Sequence, residues 1–414
     1  MKPLAFALAA ATALSAGSAF AQSGGDNQSA RTAETQAPNA PDQQPAFPGQ
    51  TRAPRTAEPV AVETETVAEG LPNLWAMEFL ADGAMLVTAK AGDMFIVSPD
   101  GRVGAPIQGL PEVMSEGQGG LLDVALAPDF AQSGTIYFSF SEPREEGGNG
   151  TTVARARLQT DGAGSGSLQD VQVIFRQTPA YDGDKHFGSR LVFGPNGHLF
   201  VTVGERSDTP IRDQAQDLTS GLGKIFRINP DGSAPDDNPF AGHASAQPEI
   251  WSYGHRNLQS AAIDGEGRLW TVEHGPRGGD ELNQPQAGLN YGWPIITYGV
   301  AYRGEPVGRG LTAMEGMEQP VYYWDPVIGP SGMAIYRGEE FRAWDGAFLV
   351  GGLVSQGLVI LRMEDGRVAS EERIPLDARV QDVQVGPDGA VYALTESDNN
   401  GPSAILRLTN EAGS

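Results

Sequence analysis

One phrase recurs six times along the chain: a short turn that closes on glycine, followed at once by a run of β-forming residues. The first three copies are Asp82-Gly83 before Ala84 to Thr88, Ser133-Gly134 before Thr135 to Phe140, and Asn196-Gly197 before His198 to Val203. The others are Glu266-Gly267 before Arg268 to Val272, Asp345-Gly346 before Ala347 to Val350, and Asp388-Gly389 before Ala390 to Leu394. Successive glycines stand 51, 63, 70, 79 and 43 residues apart, which leaves room for four short strands and loops of variable length. Each glycine supplies the positive φ that a tight hairpin turn demands. Most copies follow another short apolar strand, such as Leu122 to Ala127, Arg190 to Phe193 or Val380 to Val385, so the unit reads as a β-meander. Radial repetition of such sheets protects most of their edges. The expected fold is therefore all-β, a six-bladed β-propeller of four-stranded antiparallel blades, in preference to a sandwich pair or a β-helix. Only three strands remain for the last blade, and the alternating segment Val60 to Val67 is the candidate fourth that closes the ring.

The chain ahead of the repeats has a different character. Lys2, an apolar run from Leu4 to Leu14 and Ser18-Ala19-Phe20-Ala21 before Gln22 form the pattern of an export signal over residues 1–21, which predicts a periplasmic or secreted protein. The apolar run is far shorter than the roughly 20 residues that span a bilayer, and no later stretch reads as a membrane helix. Residues 22–58 are rich in Pro, Gln, Ala, Ser and Thr, and read as a disordered linker ahead of a propeller domain at 59–410. The chain contains no cysteine, so a large apolar core, not disulfides, has to hold the fold. Its 28 basic and 52 acidic residues leave a net charge of −24 that is spread along the chain, which argues against nucleic acid and anionic membranes as partners. A monomer or homodimer is expected.

In a propeller the innermost strand of every blade starts at the same mouth of the central channel, so the loops leading into those strands converge. They offer Glu116 to Gly120, with Gln118, in blade two; Asp184 to Gly188, with His186, in blade three; and Gly254-His255-Arg256-Asn257 in blade four. Blade five offers Gly329-Pro330-Ser331 and blade six Arg379. A lone polar residue beside a strand is usually a satisfied structural group, but recurrence at equivalent places weighs against that reading. A base, a guanidinium and amides at one mouth suit a flat, multiply charged cofactor. Of the five histidines, His186, His198, His243, His255 and His274, only His186 and His255 lie in such a loop, and none has the spacing of a zinc site. The loop Glu273 to Asn283 mixes carboxylates, glycines and open carbonyls that suit calcium, though a plain solvated turn reads the same way and the spacing is not that of an EF-hand.

Several of these phrases resemble the soluble pyrroloquinoline-quinone-dependent aldose and glucose dehydrogenases, over essentially all of residues 65 to 408. They are Gly117-Gln118-Gly119-Gly120-Leu121-Leu122, His186-Phe187-Gly188-Ser189-Arg190-Leu191, Leu222-Gly223-Lys224 with Arg227 to Gly232, Gly254-His255-Arg256-Asn257, and Asp280-Glu281 with Asn290 to Pro294. The resemblance implies a six-bladed propeller that oxidises the C1 hydroxyl of an aldose-type sugar, or another alcohol, and hands electrons to an acceptor it does not identify. It implies His186 as the base and Gln118, Arg256, Asn257, Tyr302 and Arg379 as contacts to pyrroloquinoline quinone. It also implies the carbonyls of Gly275 and Pro276 as ligands of a calcium ion beside the quinone, with Glu281 and Tyr291 as further calcium positions.

Three residues depart from the family pattern. Lys185 replaces an acidic residue before the base and is expected to lower the imidazole's proton affinity. Val354 and Gln381 stand where relatives carry cations, which is expected to weaken hold on the quinone. Two other readings remain: a calcium-dependent lactone or ester hydrolase, which needs several carboxylates and amides directed down the channel, and a non-catalytic propeller that grips a glycan or protein.

Overall fold

The structure, a computed structural model, describes residues 32–162, 164–209, 211–397 and 401–411. The expected export signal and residues 22–31 of the expected linker lie outside the described residues. The second strand of each repeat is where the architecture is most legible. Met85–Ala89, Leu199–Val203, Leu269–Glu273, Phe348–Gly352 and Val391–Glu396 are buried at every position. Such continuously buried, largely apolar runs, bounded by turns, mark strands covered on both faces. The six repeat glycines all precede second strands, with φ between 64° and 83°.

Each repeat is an antiparallel sheet, and the six sheets follow one another in chain order. Every pair of neighbouring blades shares one apolar core. Leu86 and Ile96 of blade one meet Val124 and Phe138 of blade two. Tyr137 meets Leu191 and Val201 between blades two and three, and Ile225 meets Leu258 between three and four. Trp270 meets Val350 between four and five, Leu349 meets Val383 between five and six, and Leu394 and Ile405 return to Met77 and Val87 of blade one. The sixth contact makes the row of sheets a ring. Hydroxyls stitch the blades nearer the axis: Ser139 Oγ donates to Ser189 O at 2.7 Å, Ser331 Oγ to Val380 O at 2.6 Å, and Thr88 Oγ1 to Leu122 O.

Closure follows the expected route. Val62–Leu71 pairs antiparallel with Ser403–Asn410, with Thr64 opposite Leu408 and Thr66 opposite Leu406, and supplies the outer strand of blade six. Blade one departs from the four-strand expectation. It has three strands, Leu74–Phe79, Met85–Ala89 and Asp93–Val97, among the described residues, with only an isolated bridge from Val97 to Val103 beyond them. Gly104-Ala105-Pro106 follows that bridge, and proline has no N–H to continue a ladder.

The linker expectation needs correction over residues 32–58. This segment is folded onto blades four and five, with Gln50 and Ala53 at most 1% exposed. Its low apolar content misleads because backbone groups make the attachment: Ala53 N donates to Tyr322 Oη at 2.9 Å, Glu371 N to Pro54 O at 2.9 Å, and Thr56 N to Glu371 O at 3.1 Å.

Innermost strands bring charge to the axis. Arg190 sits between Asp123 at 2.9 Å and Asp382 at 3.1 Å, and its guanidinium lies 4.6 Å from the centre of the Trp75 ring. Burial, reinforced by Asp123 and Asp382, pushes Glu78 up to about 8. A carboxyl near 4.5 in the unfolded chain and near 8 in the folded one binds its proton more tightly in the fold, so stability declines across that interval as pH rises. Glu78→Gln removes the penalty. The variant should gain stability over the parent at pH 8.5 relative to pH 5 in urea denaturation, and a difference that is flat with pH would refute the assignment.

Candidate active site

At the mouth where the innermost strands begin, the blades surround an open cavity of about 550 Å³. Trp75 and Lys90 come from blade one, Gln118 and Leu122 from blade two, Phe187 and Gly188 from blade three, and Gln259 and His274 from blade four. Leu353 from blade five and Arg379, Gln381 and Glu396 from blade six complete the wall. A larger cleft of about 1050 Å³, around Trp251 and Arg268, lies at the hairpin turns of blades three and four, away from the converging loops.

His186 directly precedes Phe187 and Gly188 of the cavity wall and has a left-handed backbone conformation, φ 50°. Its loop is held open by neighbours. The His186 N–H donates to Gln118 Oε1 at 2.8 Å, and the Gln118 N–H to Asp184 O at 2.8 Å. Arg206, fully buried, donates from Nε to Lys185 O at 2.9 Å and from Nη2 to Asn149 Oδ1 at 2.7 Å while stacking 4.0 Å from the Phe187 ring centre. Among the described residues, His186, Ser189, Arg206 and Ser207 all have positive φ without being glycine. Strain gathered at one spot and held by surrounding bonds is a mark of a functional constellation.

Strain here serves a close approach. A Cβ at Gly204 would stand 2.1 Å from His186 O, so glycine is required for the two loops to meet. The next residue, Glu205, is fully buried, and its Oε2 lies 2.6 Å from His186 Nδ1. Oε2 also accepts the Ser207 N–H at 2.8 Å, and Oε1 accepts Trp293 Nε1–H at 3.1 Å. Burial alone would raise the Glu205 carboxyl, but His186, Arg256 and the Ser207 N–H outweigh it and hold it below its usual range. An ionised Glu205 accepts a hydrogen bond from Nδ1–H, which keeps the proton on Nδ1 and leaves Nε2 unprotonated. Burial, with help from Arg256 and Arg206 against the pull of Glu205, holds the imidazole below its usual pKa, so it is neutral at neutral pH.

Lys185 takes no part in that shift. Its side chain is half-exposed and pairs with Asp184 at 3.3 Å. The expected direction at His186 is present, but burial and two arginines produce it.

Arg256 is 5% exposed and donates from Nη1 to His274 O at 3.0 Å. Its Nη2 lies 3.5 Å from Tyr302 Oη, and its Nε has no hydrogen-bond partner among the described residues. Tyr302 itself is 71% exposed at the rim. Asn257 Oδ1 accepts the Gly188 N–H at 3.2 Å, which ties blade four to the loop of His186. Arg379 stands across the cavity and is bound to Glu396 at 2.6 Å. Val354 is exposed and Gln381 lines the wall.

The calcium candidates fall in two places. Gly275 and Pro276 are buried in a loop that Asp280 draws tight: its carboxylate accepts the N–H groups of Gly275 at 2.8 Å, Ile328 at 2.9 Å and Gly329 at 2.8 Å. Neither carbonyl accepts a hydrogen bond among the described residues. Glu281 lies behind them and shares the Asn283 amide with Glu273, and burial together with Glu273 raises its carboxyl well above the usual range. Tyr291 has its hydroxyl bound to Gln284 O at 2.9 Å and to the Gln286 N–H at 3.0 Å. Its ring stacks 4.8 Å from His255, which in turn bonds Glu273, so His255 is structural. Among the described residues no group of three or more Asp, Glu or His side chains is placed to hold a metal, so a cation here would draw mainly on carbonyls.

The profile of the glucose/sorbosone dehydrogenase family matches residues 71–407. The chain belongs to that family. An aldose sugar dehydrogenase of Escherichia coli is 42% identical, over 83% of this chain and 92% of its own. The structure of the soluble aldose sugar dehydrogenase from Escherichia coli, in its apo form, superposes with a TM-score of 0.79 at 39% identity, covering 85% of this chain and all of that one. That of an aldose sugar dehydrogenase from Streptomyces coelicolor, solved with pyrroloquinoline quinone bound, gives 0.69 at 28% identity, covering 85% of this chain and all of that one.

In this sugar dehydrogenase the loops leading into innermost strands were half of the mouth. The residues that end or directly follow second strands return to it as well: Lys90, Glu205, His274, Leu353 and Glu396. Sequence reasoning placed only His186 and His255 there, whereas His274 lines the cavity. Burial, then Arg256 and His186, pushes His274 down to about 3, so it stays neutral. Its Nε2 lies 2.8 Å from Pro330 O, which assigns the proton to Nε2.

Glu205→Gln keeps the shape of the pair while removing the negative charge that orients His186. We expect kcat to fall about 10–100-fold, as loss of an orienting partner does elsewhere, with the acid limb of the pH profile moving down because the carboxylate that raises the imidazole's proton affinity is lost. An unchanged limb would deny Glu205 that role.

Proposed function

We propose that this sugar dehydrogenase oxidises the C1 hydroxyl of an aldose to the lactone with pyrroloquinoline quinone and calcium, using His186 as the general base. The observation that carries the reading is the buried pair of His186 and Glu205, which leaves a neutral imidazole on the residue directly preceding Phe187 and Gly188 in the wall of a cavity lined by cations and amides. The residues fit a planar polyanion. The buried Nε of Arg256 has no partner among the described residues, and the Gln118, Arg379 and Lys90 side chains line the wall. The buried carbonyls of Gly275 and Pro276 fit a hard cation.

When bound, the quinone supplies a two-electron acceptor for the hydride from C1, and calcium supplies a Lewis acid at its carbonyl. The chain's own part is protonic and positional. His186 Nε2 takes the hydroxyl proton, and Glu205 stabilises the imidazolium through Nδ1–H. Trp293 and the Ser207 N–H keep Glu205 from turning away. Arg256, backed by the ring of Trp293 at 5.1 Å, holds positive charge beside the site. Lys90 adds a cation beside Arg379 to a wall to which Val354 and Gln381 contribute none.

A hydrolase would need channel carboxylates turned to a metal, and Asp123 and Asp382 are engaged by Arg190 instead. Work outside the cytoplasm fits the pattern of residues 1–21. No helix among the described residues is long and apolar enough to cross a membrane.

Tryptophan quenching should report quinone binding to the calcium-loaded apoprotein, and dye reduction should follow with aldoses. In His186→Ala we expect quinone binding to persist while turnover falls about 10²–10⁴-fold. Absence of quinone binding by the parent protein would overturn the cofactor assignment, and full turnover by the variant would overturn the base.

A further inference from the structure

The segment 32–56 lies outside the span that the family profile matches, yet its attachments gather on one part of the molecule. Asp325 accepts the N–H groups of Asn39 at 2.6 Å and Ala40 at 3.0 Å, and Arg52 Nη2 donates to Asp325 O at 2.8 Å. The Asp325 carboxylate in turn presses on the backbone of Gly278, where a Cβ would stand 2.8 Å from Oδ1. Gln50 makes a second attachment: its Oε1 lies 3.0 Å from Tyr298 Oη, which also bonds Gln319 Oε1, its Nε2 donates to Pro320 O at 2.9 Å, and its carbonyl accepts the Tyr323 N–H at 2.8 Å. Tyr298 is stacked 3.9 Å from Tyr323, so the hydroxyl is presented to Gln50 in one orientation.

These two attachments end on the backbone that carries the site, whereas Pro54 and Thr56 pair with Glu371 of blade five. Residues 297–300 lie on the loop of Gly275 and Pro276, with Arg277 and Val300 exchanging two hydrogen bonds of 2.9 Å. The Gly279 N–H donates to Trp324 O at 2.9 Å, and a Cβ at Gly279 would stand 2.7 Å from Gly299 N. Two residues beyond Val300 comes Tyr302, whose hydroxyl meets Arg256. The loop itself contains Gly275, Gly278 and Gly279, the last two at φ 82° and 74°, a composition with much conformational freedom to lose.

We propose that residues 32–56 form a strap that positions the loop 275–280 and the segment 297–302, and thereby sets the affinity of the site for calcium and quinone without being needed for the ring. This rests on the calcium reading of Gly275 and Pro276 for its ligand, but not for its mechanics. The blades hold one another through their own six cores, and of the strap only Ala53 enters any of them. The strap offsets the entropy of a glycine-rich loop in advance, so that a bound cation does not have to order it.

Three variants test this: deletion of residues 32–56 from the mature chain, Gln50→Ala, and Tyr298→Phe, which keeps the stack on Tyr323 and removes only the hydroxyl. Hydrogen exchange on the metal-free protein should show residues 275–302 exchanging at least about tenfold faster in all three, with blade six at 379–410 unchanged. Calorimetric calcium affinity should fall about 10–100-fold, the range seen when groups supporting a metal's ligands are lost. Unchanged exchange at 275–302 would overturn the proposal, and so would faster exchange spread evenly round the ring, which would make the strap a general stabiliser. If the deletion does not fold, the two point variants carry the same comparison. If the parent binds no calcium, the calcium reading fails, and the exchange pattern alone still decides the strap.

Discussion

Everything in this molecule depends on each blade having two neighbours. A four-stranded sheet of this size cannot bury two apolar faces alone, and these second strands are buried throughout because both faces are covered. A row of such blades would leave raw faces at its ends. Pairing Val62–Leu71 with Ser403–Asn410 draws the first part of the domain onto the last blade, and the core of Met77, Val87, Leu394 and Ile405 seals the seam. Ring closure also brings loops far apart in sequence to a common mouth, which is what a site assembled from several blades requires.

The chemistry at that mouth follows from burial. A histidine and a glutamate taken out of water hold each other in complementary states: the carboxylate is kept charged by the imidazole, Arg256 and the Ser207 N–H, and the imidazole is kept neutral by burial and nearby arginines. The cost of building the pair is visible as left-handed backbone at His186, Ser189, Arg206 and Ser207. Arg206 holds it by gripping Lys185 O and Asn149. The axis below follows another logic, with Arg190 shared between Asp123 and Asp382 and Glu78 kept protonated.

Much of the fold was legible in the chain. Six glycine turns, 43 to 79 residues apart, marked the blades, and the alternating segment near Val62 was correctly paired with the end of the chain. The site was legible in part. Loops leading into innermost strands were found because a propeller's geometry assigns them to one mouth, which brought Gln118, His186, Arg256, Asn257 and Arg379 into view. Glu205, Lys90 and His274 were missed because the same geometry also returns each second strand to that mouth. Gly204-Glu205 directly after Leu199–Val203 was the available signal. The segment 32–58 misled for a different reason: polar composition predicts little apolar burial, and its attachment uses backbone N–H groups and a few side chains such as Gln50 and Arg52, which composition does not weigh.

The sequence by itself determined the number of blades and the manner of closure, because turn glycines and strand periodicity are local properties. Only the tertiary structure decided which carboxylate meets the His186 imidazole, which cations shift it, and where the N-terminal segment lies. Those are contacts between residues distant in the chain, as Trp293 is from Glu205 and Asn39 from Asp325. Their strength depends on burial, which exists only once the ring has closed.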